Sequence, residues 1–436
     1  MVRTRSSTRL TRKPVLPLDV CGIIIDILAS DRRDPGLNSV KKCSLVCNSF
    51  LPLCRKHIFA TIKIDDPLGT LEPSHSDSDE GPHHVLEEFM QLIKHTPAIG
   101  NYIRHLELFF EEYDILDDFP RTMQRLTRLE SLALSQYNEL DWRSLKWPVR
   151  NALLRLLQLP TLTALALCFV SDFLVTDLVH GTSLRRLELK STTFFEDSAD
   201  APPTAIILPA KLVQIRELIV QSDTEATGIE QIANARRSDG LLVIDPTRMT
   251  AITIICNCVG DMDALGIFLR RGKKLTKIDL TGRTFLSLLE PFFDHIISVP
   301  SNLNFVGFAD MIAPHIRALK IARLSFSVDV DHDGPLGGIP SELAKLAGDN
   351  VFECLRINVD IWESMDSSGD EWGMLDTVLT SSGWPALKTV VVKISLCTPE
   401  FENNNLLKSF RRLKKTQFPR LSASKSVDFK FLLRRI

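Results

Sequence analysis

The chain has 436 residues, 44% apolar and 24% charged, with a net charge of −2. Such proportions are ordinary for a globular protein and allow a small module with one large body, or two or three conventional domains. They argue against a membrane-spanning or disulfide-framed chain: the longest uncharged apolar-rich stretch, residues 156–171, contains Pro160 and is shorter than the roughly 20 residues a spanning helix needs, and the nine cysteines are odd in number and scattered.

No apolar core follows the basic residues at the amino end, so no secretory signal is expected. Reduced thiols and a cytoplasmic or nuclear setting follow. The absence of an Asn-x-Ser/Thr sequon agrees. The small net charge conceals a split. Residues 1–13 hold Arg3, Arg5, Arg9, Arg12 and Lys13 without an acid, which makes +5. Residues 408–436 hold ten Lys/Arg against Asp428, which makes +9 and leaves −16 for the body between. Both ends read as solvated tails. Neither interleaves aromatic and base-reading polar residues, so no nucleic-acid partner is expected.

After the basic tail, residues 14–64 form the first element group. A helix should begin after Pro17, with Asp19 in its first turn. Val20, Ile24, Ile27 and Leu28 follow at helical spacing, and Ile23 and Ile25 add apolar surface on other sides. Asp31 to Gly36 reads as a turn centred on Asp34-Pro35-Gly36. A second helix is expected from about Asn38 to Phe50, with Val40, Cys43 and Cys47 on one stripe and Leu45, Val46 and Phe50 pointing elsewhere. Pro52 should open a third helix. So short a segment has little room for a two-sided core, and surplus apolar surface marks a partner site.

This run resembles an F-box of the divergent type common in mushroom-forming fungi. The resemblance rests on Leu16, Pro17, Asp19, Ile24 and Leu28, then on Leu45-Val46-Cys47 with Phe50, and then on Leu51-Pro52-Leu53, Arg55-Lys56 and Phe59. It covers about a ninth of the chain. Phe50 stands where Trp is usual and Cys21-Gly22 where Leu is common; Gly22 weakens the helix by roughly 1 kcal/mol relative to Ala. The resemblance implies docking onto a Skp-type adaptor and, through it, onto a cullin–RING ubiquitin ligase. Leu16, Pro17, Val20, Ile24, Leu45, Val46 and Phe50 are the candidate adaptor-binding residues. The plainer alternative is that these helices only cap the larger body.

Residues 65–98 read as an acidic mobile loop, Ser74 to Gly81, followed by a linker helix over Val85 to His95. From residue 99 to 407 one pattern returns: apolar, two residues, apolar, one residue, apolar. It occurs at Ile103-Leu106-Leu108, Leu129-Leu132-Leu134, Leu162-Leu165-Leu167, Leu184-Leu187-Leu189, Ile215-Leu218-Val220, Met249-Ile252-Ile254 and Leu275-Ile278-Leu280. Leu303-Val306-Phe308 is a further copy. The register near 320 is open between Ile316-Leu319-Ile321 and Ile321-Leu324-Phe326. Phe352-Leu355-Ile357 and Leu387-Val390-Val392 close the series. The last three residues of each copy alternate as a strand buried on one side. Helical stretches at Val149 to Gln158 and Met262 to Arg271 lie between copies, with Pro97, Pro160 and Pro385 separating helix from strand. Units of this kind bury their apolar faces only by stacking.

These units resemble leucine-rich repeats, and the arrangement resembles F-box proteins that carry them. The fold expected is α/β: a small helical module followed by an irregular strand–helix solenoid with a parallel sheet. The usual Asn or Cys after the strand is replaced by Tyr137, Val170, Thr192 and Arg283. Arg104, Glu107, Arg186 and Glu188 place charges within or beside the strands, on a surface suited to a protein ligand.

Little suggests catalysis. Asp329, Asp331, Asp333 and Gly334 begin like a calcium loop, but its twelfth position is Pro340 instead of Glu. Cys43, Cys47, Cys54 and His57 read as packed thiols rather than a zinc site. Gly266 and Gly272-Lys273 are mis-spaced for a phosphate loop. The expectation is therefore a non-enzymatic protein without metal or cofactor. Its partners would be a Skp-type adaptor, a cullin scaffold and an unidentified protein target; the alternative is a repeat scaffold for protein–protein interaction.

Overall fold

The structure, a computed structural model, describes residues 17–30, 34–64, 83–110, 117–195, 211–221, 228–256, 259–282, 307–328, 336–361, 370–397 and 404–435. It is mixed α/β with a parallel sheet. The chain forms two compact units, one of residues 1–107 and 116–130, the other of residues 108–115 and 131–436. No helix among the described residues is long and apolar enough to cross a membrane.

The first unit opens with three helices: α1 (Leu18–Ser30), α2 (Asp34–Ser44) and α3 (Phe50–Ile58). Helix α2 starts and ends earlier than its sequence pattern suggests. Pro35 takes the second helical position, where a missing N–H costs nothing, so Asp34-Pro35-Gly36 begins the helix instead of forming a turn. The chain leaves the helix at Ser44, and Leu45 and Val46 lie in the following turn, their N–H groups donating to Lys42 and Cys43 carbonyls at 3.1 Å each. Ile25, Val40 and Cys54 make the small core, with Leu28, Ala29, Cys43, Phe50, Leu53 and Ile58 packed around it. The unit continues through strand β1 (Thr61–Ile64), helix α4 (His83–His95), a 3-10 turn at Pro97–Asn101, strand β2 (His105–Phe110), whose residues from Leu108 on are assigned to the second unit, and helix α5 (Phe119–Met123). The acidic loop expected over Ser74 to Gly81 lies outside the described residues.

The second unit contains β3 (Ser131–Asp141), α6 (Trp147–Leu157), β4 (Ala164–Ser171), β5 (Arg186–Lys190), β6 (Glu217–Gln221), α7 (Ile229–Asn234), β7 (Ala251–Cys256), α8 (Val259–Arg271) and β8 (Lys277–Gly282). It goes on through α9 (Phe308–Ile312), β9 (Ile321–Val328), α10 (Ile339–Lys345), β10 (Cys354–Ile361), α11 (Glu371–Leu379), β11 (Thr389–Leu396), α12 (Asn404–Thr416), α13 (Pro419–Ala423) and β12 (Asp428–Arg435). Strands β3 to β12 lie side by side in chain order, and every adjacent pair is parallel. Register aligns the inward residues into rows. Leu132, Leu165, Leu187, Leu218, Ile252, Ile278, Ala322, Leu355 and Val390 form one row, all of them buried.

Two expectations about the repeats are corrected. Near 320 neither expected register holds: the inward residues are Leu319, Ala322 and Leu324, all buried, while Ile321 is 39% exposed. Ala322 pairs with Ile278 and Leu355, so a methyl occupies a row position where a larger aliphatic was sought. The copy expected at Leu303-Val306-Phe308 does not end in a strand, because Phe308 opens α9; Leu303 and Val306 lie outside the described residues.

A third correction concerns the carboxyl end, which is not a solvated tail. Phe410, Leu413, Phe418 and Leu421 are buried, and β12 pairs with β11 over eight residues.

Buried and half-buried carboxylates of the second unit accept hydrogen bonds from donors at or near helix starts. Glu342 of α10 accepts the Ala309 N–H at the start of α9 (2.8 Å). Glu371 of α11 accepts Leu336 N–H (2.6 Å) and Gly338 N–H (3.2 Å) just before α10. Asp376 of α11 accepts Arg420 N–H (3.0 Å) and Leu421 N–H (2.8 Å) in α13. Each satisfies backbone donors that a helix start leaves without partners. Asp177 does similar service for Trp142 Nε1 (2.8 Å) and Arg150 Nη2 (2.7 Å). Thr192, at one expected ladder position, donates its hydroxyl to the Leu167 carbonyl of β4 (3.1 Å).

Two measurements test this packing. Leu324→Ala should cost about 2–5 kcal/mol in urea unfolding, and Ile321→Ala less than about 1 kcal/mol; the opposite order would contradict the register. Burial pushes the Glu342 carboxyl up, but hydrogen bonds from Lys345, Ala309 and Gly307 outweigh it and hold the group below its ordinary 4.5. Its stabilisation is thus present above that value and lost as pH falls through the lower folded value. Glu342→Gln should cost about 1–3 kcal/mol near neutral pH, and the gap should narrow as unfolding is measured at progressively more acidic pH below the ordinary carboxylate value.

Candidate functional site

Helix α1 carries two apolar faces. Cys21, Ile25 and Leu28 turn inward, the first two buried and Leu28 packed on the core. Val20, Ile23, Ile24 and Ile27 occupy positions i, i+3, i+4 and i+7, an arc of about 100° at the helical pitch, and all four are exposed. Ile27 is 63% exposed. The stripe expected from Val20, Ile24, Ile27 and Leu28 is therefore divided: its first three members face outward and only Leu28 packs inside. Leu18 and Leu37 are also exposed. At the turn after α2, Leu45 is 85% and Val46 68% exposed.

Of the seven candidate residues, Pro17, Val20, Ile24, Leu45 and Val46 lie at the surface. Leu16 lies outside the described residues. Phe50 does not share that surface: as the first residue of α3 it is half-buried against the Ile25–Val40–Cys54 core, which is small enough to need its ring. Ile23 and Ile27 are exposed members that the sequence reading left out. Their signal was present in the i, i+3, i+4, i+7 spacing, but α1 is apolar on so many sides that spacing alone fits either face.

Ion pairs fix the frame that presents these residues. Asp26 of α1 meets Lys56 (2.6 Å) and His57 (2.7 Å) of α3. The Lys56 hydrogen bond, followed by that of His57, holds the Asp26 carboxyl below the usual range. Exposed Cys47 lies 3.0 Å from the Ser49 hydroxyl, a contact that lowers its thiol pKa, while burial raises that of Cys54. Cys21, Cys43, Cys47, Cys54, Cys354 and Cys397 are free thiols. No grouping of three or more His, Cys, Asp or Glu able to hold a metal occurs among the described residues. The calcium-loop-like Asp329 to Gly334 lies outside them.

The second candidate surface is the open face of the sheet in the second unit. Here register decides which charges meet. Arg186 lies 3.1 Å from Glu188 and 3.4 Å from Glu217 on the next strand. Asp279 of β8 meets Arg323 of β9 at 3.1 Å; burial raises the Asp279 carboxyl pKa, opposed chiefly by Arg323. Asn358 of β10 donates to the Ser325 hydroxyl of β9 at 2.9 Å. In the first unit, Arg104 pairs with Glu130 (3.3 Å) and Glu107 with Lys63 (2.9 Å). All four charges picked out in the sequence thus take part in ion pairs. On the helix side, a cavity of about 410 Å³ is lined by Val175, Thr176, Phe195, Glu230, Gln231 and Arg236 among others.

No family model matches this chain, and no curated protein is detectably similar to it.

Proposed function

We propose that this chain is a non-enzymatic target-receptor subunit of a cullin–RING ubiquitin ligase. Its amino-terminal helices would dock a Skp-type adaptor, and the open face of its parallel sheet would hold a protein target. The observation that carries this reading is the exposed apolar surface of the helical module, where Val20, Ile23, Ile24 and Ile27 line one face of α1 and Leu45 and Val46 stand on the turn after α2. Exposed aliphatics scattered singly need no explanation. A helix that completes its core with one face and leaves a second, continuous apolar face in water is favoured by a covering partner. The F-box resemblance of residues 16–59 supplies the partner's class. The body supports the second half of the reading: repeated strand–helix units are a common way to build an extended protein-binding surface. In such an assembly this chain would contribute proximity, while ubiquitin transfer would belong to other subunits.

Pull-down with a purified Skp-type adaptor tests the docking half. The variants Ile23→Asp/Ile27→Asp and Leu45→Arg/Val46→Arg should each reduce adaptor recovery by about tenfold or more, or roughly 1.4 kcal/mol. Thermal unfolding should stay close to that of the native chain, because all four side chains are already exposed. Undiminished recovery in both variants would remove the proposal.

A further inference from the structure

We propose that the target segment held by the second unit is an acidic, extended peptide lying across β9, β10 and β11 on the open face of the sheet; this rests on the reading of the chain as a target receptor. The register supplies the argument. Arg323 and Arg356 are partners on neighbouring strands, and Asn358 and Lys393 are partners one pleat further on. Like charges side by side on one sheet face repel. Elsewhere on this face the cost is met internally, as where Arg186 has both Glu188 and Glu217. Here it is met only in part. Arg323 is committed to Asp279, while the side chains of Arg356 and Lys393 make no hydrogen bond or ion pair among the described residues. Arg356 is exposed and Lys393 partly so. Asp279 is shared among Arg323, Lys277 and Arg356, and Asp360 stands on the same side of β10, so the cations held in place by this rigid ladder outnumber the acids beside them and are complementary to carboxylates brought by another chain.

The dimensions favour a peptide. Two strand intervals of about 4.8 Å give a patch about 10 Å across, which is the reach of roughly three residues of extended chain. The hydrogen-bonded Asn358–Ser325 pair adds polar groups suited to backbone amides beside the charges. A nucleic acid fits less well. The outward positions of β9 to β11 carry no aromatic side chain on which a base could stack.

Fluorescence anisotropy with the full-length protein tests this. The probes are a labelled short peptide alternating Glu and Gly, its Gln-Gly isostere, and a DNA strand of equal length. The Glu peptide should bind at least about tenfold tighter than the Gln peptide, and more weakly as salt rises. Arg356→Glu/Lys393→Glu should lose at least about tenfold of that affinity, and Arg356→Gln/Lys393→Gln should lose a smaller part of it. Arg411→Glu/Lys415→Glu on α12 should bind like the native chain. Equal affinity for the two peptides, including none for either, would overturn the inference. So would DNA binding as tight as that of the Glu peptide, or a loss seen in the α12 variant and not in the sheet variants. Adaptor recovery should be unchanged in Arg356→Glu/Lys393→Glu, so a failure of adaptor docking and a failure of this surface register as separate results.

Discussion

Parallel register is the constraint on which the second unit depends. A strand–helix unit alone has an apolar side without cover and two unpaired backbone edges. Each neighbour removes one edge and extends the buried row. From Leu132 to Val390 that row crosses nine strands with every member buried. A slip of one residue on any strand would turn its aliphatic set outward and its polar set inward. The row tolerates a small member, as at Ala322, but not a polar one, so the same constraint that builds the core also fixes which side chains meet on the opposite face.

That opposite face is consequently not a random polar surface. Strands β3 and β4 contribute Ser131, Ala133 and Ala164, Ala166 in register, all small residues. Strands β5 and β6 contribute the ion-paired set Arg186, Glu188 and Glu217, with exposed Lys190 over the Phe169 ring beside it. From β8 onward the cations exceed their partners. The helix side solves a different problem: every helix start leaves backbone donors without intrahelical partners, and Glu342, Glu371 and Asp376 each reach from one helix to donors at or just before the start of another. Inward charge is therefore spent on architecture and outward charge is left for association.

How much of this was legible in the sequence depended on the size of the residue carrying the signal. The strands at Leu129, Leu162, Leu184, Ile215, Met249, Leu275, Phe352 and Leu387 were readable because Leu, Ile, Met, Val and Phe repeat in all three positions. The β9 register was not, because Ala322 does not announce an inward position and Ile321 beside it does so falsely. Strand β12 was missed because Ser426 precedes it where an apolar residue belongs, and because its basic composition resembles that of a solvated tail. The missing ladder was itself overstated: Asn257 stands at the ladder position of the Met249 copy, although it lies outside the described residues. At the module, Val20, Ile24, Leu45 and Val46 are exposed. The division of α1 into two faces was not legible, since Cys21 and Ile25 are no more apolar than Ile23 and Ile27.

The basic carboxyl end shows how one feature can serve both stability and specificity. Strand β12 stands last in the strand order, where an open edge invites pairing with foreign strands. Its inward Phe429 and Phe431 reach the ring of Phe418, with centroids 5.3 and 6.0 Å apart, which ties the strand to α13. Lys430, Arg434 and Arg435, between and beyond them, are exposed cations, and exposed Leu432 lies among them. Charged side chains along an edge resist the addition of another strand, because pairing would bring like charges together and strip their water. The three cations on β12 thus have a physical use in guarding the last strand of a long parallel ladder. Excess charge there is no evidence of a ligand, whereas Arg356 and Lys393, which lie within the ladder and guard no edge, have no such explanation.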